Sequence, residues 1–182
     1  MGDFEEGMKY WRDAGHVARR TLEAMKDELQ PGKTWHEIIE SAERYIHRHG
    51  GKPAFPGTIA VNNIAAHFTT EHTVSPPDGW EGDMVLQKGD LVKIDYGVHI
   101  KGHIGDNALT FEVGNTNNHT EQIKAAREAR DAAIEMMHPG TPWHKVGEAA
   151  AHPSLDAGFQ PICNLCGHQL KPWVLHAGVS VP

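Results

Sequence analysis

The six residues Pro31-Gly32-Lys33-Thr34-Trp35-His36 return 108 positions later as Pro139-Gly140-Thr141-Pro142-Trp143-His144. Each copy closes a stretch of helical character, ARRTLEAMKDELQPG in the first case and REARDAAIEMMHPG in the second. Pro-Gly stops a helix because proline lacks the amide donor and glycine accepts the left-handed conformation. Self-similarity at one fixed offset reads as a diverged internal duplication, each unit running helix, Pro-Gly turn, helix, strands. The alternative is two ordinary helix stops that share Trp-His. The common order of elements favours duplication.

The pattern of apolar residues and breakers predicts helices over Phe4–Leu29, from Thr34 to about Gly50, and over Thr120–Met137, with a short helix from Pro142. Thr34 and Glu37 have the spacing of a capping box. Short strands are expected at Gly57–Val61 and Ile64–His67. A polar loop with Pro76-Pro77 and Gly79 leads to a hairpin, and short strands and turns are expected from Gly158 on. The duplication puts a counterpart of that hairpin near 199–221, past Pro182, so the second unit is expected to be incomplete and the chain to be truncated at its C-terminal end.

The hairpin, LVKIDYGVHI-KG-HIGDNALTFEV from Leu91 to Val113, carries one aspartate in each strand. If Ile100 pairs with His103 across Lys101-Gly102, Gly97 faces Asp106 and Asp95 faces Ala108. Side chains alternate along a strand, so Asp95 and Asp106 share a face as diagonal neighbours. Gly97 is expected to leave open space there. Two converging carboxylates repel unless they share a proton or a cation, and a divalent metal offsets both repulsion and burial. On these residues alone, two aspartates facing solvent on the polar side of an edge hairpin are at least as good a reading as a metal site, and a Lys93 or His99 partner would also serve. The chain has 14 histidines. His67 at the end of NNIAAH, His168 after Gly167 and His176 in VLHAG add imidazoles fit to bind metal or steady an oxyanion.

The net charge of −7 argues against a nucleic-acid surface. The acidic start MGDFEEGMKYW has no signal-peptide pattern, and no apolar run reaches the length of a membrane span. The two cysteines, Cys163 and Cys166, form one C-x-x-C pair, a weak zinc signal by itself and expected to be reduced in a cytosol.

The segments NNIAAHFT (62–69), VKIDYG (92–97), GHIGDNALT (102–110), Gly167-His168 and HAGVSVP (176–182) together resemble methionine aminopeptidase, most closely its type II archaeal and eukaryotic branch. The resemblance implies an α/β (α+β) pita-bread fold with two pseudo-symmetric halves, about 1–117 and an incomplete 118–182, in a single catalytic domain over 1–182. It implies two divalent metal ions (Co, Mn, Fe or Zn) with Asp95, Asp106 and His168 among their ligands. It further implies that His67 assists at the substrate carbonyl and that His176 contacts the substrate or its tetrahedral intermediate. The implied reaction removes the initiator methionine from nascent proteins, a metal-bridged water attacking the scissile carbonyl. The expected partners are nascent polypeptide N-termini near the ribosome, with no nucleic acid and no membrane, the chain acting as a cytoplasmic monomer.

The sequence departs from the family's pattern in three places. Two further glutamate ligands have no counterpart up to Pro182, which leaves the activity of the 182 residues themselves open. The stretch Thr70–Gln87 is longer than the family's loop. Cys166 stands where the family has a small or polar residue. The rival readings are a prolidase or X-Pro aminopeptidase of the same fold and a non-catalytic relative that binds ribosomes or nucleic acid. A third rival is a zinc module on Cys163, Cys166, His152 and His168.

Overall fold

The computed structural model describes residues 2–70 and 84–181, and the expected Pro76-Pro77-Gly79 loop lies outside them. Two compact units follow one another, Met1–Thr116 and Asn117–Pro182.

In the first unit, helices α1 (Gly2–Glu28) and α2 (Trp35–Arg48) precede strands β1 (Lys52–Pro53), β2 (Thr58–Val61), β3 (Leu91–Ile100) and β4 (His103–Glu112). The expected capping box starts α2. The Thr34 hydroxyl accepts from the Glu37 amide at 3.1 Å, and the Glu37 carboxylate accepts from the Thr34 amide at 2.8 Å. Two of the four donors that a helix start leaves unpaired are satisfied this way. Ile38, Ile39, Ala42 and Ile46 then repeat at helical spacing and are all buried.

All sheet pairings in this unit are antiparallel. Strand β4 lies along one edge of β3, while β1 and β2 share the other edge, β1 beside Val98-His99 and β2 beside Val92–Asp95. Lys101 and Gly102 both have positive φ, 48° and 83°, which suits the tight hairpin turn expected there. Val92, Ile94, Tyr96 and Val98 alternate onto one face of β3 and are wholly buried with residues of α1 and α2. Burial of such side chains contributes roughly 1.5–3 kcal/mol each. The Tyr96 hydroxyl donates to the Ile39 carbonyl at 3.1 Å, which pins sheet to helix. One expectation fails. Ile64–His67 is not a strand, because Asn62 (φ 52°) turns the chain just after β2 and His67 itself has φ 62°.

The second unit contains α3 (Thr120–Met136), α4 (Trp143–Asp156), β5 (Gly167–His168) and β6 (Ser180–Val181). The duplication shows in these boundaries. Helix α3 ends, and α4 starts and ends, 108 positions after its counterpart in the first unit. Gly32 and Gly140 have φ of 91° and 89° at the two Pro-Gly turns. The helix expected to be short after Pro142 has 14 residues and runs through Pro153.

Helix α1 reaches the sheet at Gly105, where a Cβ would stand 2.6 Å from the backbone nitrogen of Gly15. Backbone cannot move aside as a side chain can. Gly105→Ala is therefore expected to destabilise the first unit by about 1–3 kcal/mol, measured as a fall in the urea midpoint. An unchanged midpoint would contradict this contact.

Candidate metal centre

The hairpin has the register that the two-residue turn implied. Ile100 pairs with His103, Gly97 with Asp106, and Asp95 with Ala108. Asp95 and Asp106 are thus diagonal neighbours, a relation that spans about 7–8 Å at the backbone. Both lie on the face of the sheet opposite the buried Val92-Ile94-Tyr96-Val98 row. Both are half-buried, and one oxygen of Asp95 is closed off from solvent. The expected open space at Gly97 is not there. A Cβ on Gly97 would come within 2.2 Å of the Phe55 ring, so that aromatic side chain covers the strand beside Asp106.

Lys93, proposed above as a possible Asp partner, donates its ammonium to the Asn62 carbonyl at 2.7 Å. Burial pulls its pKa down to about 8. Asn62 also donates from its side chain to Asp90 Oδ1 and accepts there from the Leu91 amide, both at 2.9 Å. Asp90 in turn accepts from the Gln87 amide at 2.8 Å. This clamp ties the turn that leads to His67 to the start of β3. Asp90 escaped the sequence reading. Its one signal was its place between Gly89 and the apolar start of the hairpin, where a carboxylate often receives turn amides. Beyond the turn, the Phe68 carbonyl accepts from Ile59 and the Thr69 hydroxyl donates to the Gly57 carbonyl, at 2.8 and 2.9 Å. His67 is exposed on this loop, tied to the strand whose Thr58 pairs with Asp95.

In the second unit, β5 carries His168 opposite Ser180 of β6. The His168 Nδ1 stands 2.8 Å from the Leu175 carbonyl. A carbonyl only accepts, so Nδ1 is the donor in this contact; in a neutral ring that arrangement puts the lone pair on Nε2, the form in which an imidazole binds metal. The ring of His176 lies against it, with centroids 4.4 Å apart. Within either unit, no group of three His, Cys, Asp or Glu comes together among the described residues. The zinc module on Cys163, Cys166, His152 and His168 is therefore not assembled. Both thiols are exposed and free, and Cys163 Sγ donates to the Pro161 carbonyl at 3.4 Å.

The sequence profile of metallopeptidase family M24 matches residues 9–180. The chain belongs to this family. Among its relatives, the methionine aminopeptidase of Thermococcus onnurineus is 40% identical over 170 residues, 93% of this chain and 54% of that protein. The one from Thermococcus kodakarensis is 42% identical over the same coverage. The chain thus spans about half the length of these curated relatives. A methionine aminopeptidase of Methanothermus fervidus is 36% identical over 98% of this chain and 94% of its own length.

Solved structures agree on the fold. Methionine aminopeptidase from Rickettsia prowazekii superposes with a TM-score of 0.84 at 24% identity, over 97% of this chain and 70% of that one. Prolidase from Pyrococcus horikoshii gives 0.79 at 26% identity, over 97% and 49%. The α/β pita-bread fold expected from the sequence is therefore the fold of this M24 chain.

Acid stability has a marker near the aspartates. His99 lies on their face of β3, and burial, reinforced by the Lys52 charge, lowers its pKa below the ordinary imidazole value. The unfolded chain then binds the extra proton first. Stability conferred by the neutral ring is present above about pH 6.5 and is lost as pH falls through the folded value. His99→Gln is expected to flatten the acid limb of a plot of urea midpoint against pH. An unaltered limb would exclude His99 as its source.

Proposed function

We propose that the protein is a methionine aminopeptidase of the type II branch, a single catalytic domain that removes the initiator methionine from nascent polypeptides by metal-dependent hydrolysis. The observation that carries this reading is the β3–β4 register. It brings Asp95 and Asp106 to one face, away from the helix-covered core. Family membership and the curated relatives support the same reaction.

Asp95, Asp106 and His168 are the proposed ligands to two divalent ions. Carboxylate oxygens with an imidazole suit Mn, Fe, Co or Zn. The half-buried carboxylates in the first unit, and separately the His168 imidazole in the second, are donors of the kind such ions take. When bound, it supplies Lewis-acid polarisation of a peptide carbonyl and activation of water. The protein's own part is threefold. Asp95 and Asp106, held by the rigid ladder, keep negative charge where a cation must sit. The Leu175 carbonyl keeps His168 in one tautomer. His67 and His176 present imidazole N–H groups to charge developing on the scissile carbonyl oxygen. The protein acts as a cytoplasmic monomer near the ribosome.

Calorimetric titration with Mn(II) tests the ligands. Asp106→Asn is expected to weaken binding on the order of 100-fold, whereas Asp13→Asn, on the exposed side of α1, leaves it unchanged. Equal binding by the two variants would remove Asp106 from the site. The substrate class is tested separately. Release of methionine from Met-Ala-Ser and no cleavage of Ala-Pro peptides is the expected outcome, and the reverse would make the protein a prolidase.

A further inference from the structure

The C-x-x-C pair has no part in the proposed reaction, yet its setting is specific. Cys163 and Cys166 line one apolar groove of about 1170 Å³ in the second unit, together with Trp143, His168 and Val181. Both thiols are exposed, and the chain bends at Cys163-Asn164 between them. Cys166 directly precedes β5, whose two residues are paired to β6. Two exposed thiols thus line one groove with only two residues between them, and they are the two cysteines of the chain. The thiolate is the attacking species in disulfide exchange, and exposure of both thiols admits a small reagent.

We infer that Cys163 and Cys166 form a dithiol–disulfide couple that exchanges with low-molecular-weight disulfides and, when oxidised, staples the loop entering β5. The thiolate of one cysteine attacks a sulfur of the reagent disulfide, forming a mixed disulfide and releasing one reagent thiolate. The second cysteine thiolate attacks the protein sulfur of that mixed disulfide. The Cys163–Cys166 bond forms and a second reagent thiolate leaves. Two protein thiols lose two protons and two electrons, and the reagent disulfide takes them up as two thiols. The closed ring ends next to Gly167-His168, so oxidation restrains the backbone that carries His168.

The test uses the 182-residue chain with oxidised glutathione as reagent. The intact mass is expected to fall by two hydrogens, with no adduct retained and full reversal by dithiothreitol. Cys163→Ser and Cys166→Ser are each expected to stop at a single glutathione adduct. Ring closure in the native chain is expected to exceed that of the urea-unfolded chain by at least about tenfold in effective concentration. Closure no better than in the unfolded chain would overturn the inference, as would persistence of two adducts or formation of linked dimers. Amide exchange across residues 163–168 is expected to slow on oxidation while that of β3 and β4 stays constant. A change in β3 and β4 instead would overturn the stapling. The couple is independent of the hydrolase reading, which failure here leaves standing.

Discussion

The ten-pair ladder between β3 and β4 is the constraint on which the first unit rests. Side chains alternate with period two, so a slip of one residue would exchange the faces of the whole hairpin. Val92, Ile94, Tyr96 and Val98 would turn out to solvent, and Asp95 would turn into the packing of α1 and α2. Two features forbid that slip. Lys101-Gly102 closes the turn with both residues at positive φ. At the other end the Asn62–Asp90–Lys93 clamp holds the entry to β3. The apolar row and the carboxylate pair are therefore placed by one device. Burial energy on one face secures the geometry of charge on the other.

Much of this was legible because it is local. The turn residues set the register, the register sets the faces, and Thr34 with Glu37 sets the start of α2. What escaped was set by long-range packing. Nothing in the neighbourhood of Gly97 announces that the ring of Phe55, far back in the sequence, will lie over it. Asn-Asn-Ile-Ala-Ala-His reads as a strand by its apolar content, but a positive φ at Asn62 ends the strand at Val61. Asp90 looks like an ordinary loop acid until its four-residue neighbourhood and Asn62 converge on it. The two-residue β1 is too short for any periodicity to mark. At the site itself, the residue types of Asp95, Asp106, His67, His168 and His176 were readable from motif resemblance. The tautomer of His168 was not, since it depends on a carbonyl seven residues away.

The duplication survives in length more faithfully than in chemistry. Helix ends and Pro-Gly turns keep their 108-residue offset, while the residues between have diverged. Thr34, whose side chain caps α2, corresponds to Pro142, which offers α4 no side-chain cap. Leu22 and Met25 of the buried face of α1 correspond to Arg130 and Ala133. Loop lengths and stop signals decide where elements fall, and they have been kept where side-chain identity was free to drift.

Trp35 and Trp143 stand at the same step of the two copies, one wholly buried and the other 46% exposed. The difference extends beyond one side chain. Among the described residues of the second unit, the hydrophobic side chains withdrawn from solvent are those of Ala125 and Val146. Cooperative unfolding draws its free energy from such burial. The two copies share a plan but not a buried core of the same size. Burial therefore contributes less to the folding of the second unit than to that of the first.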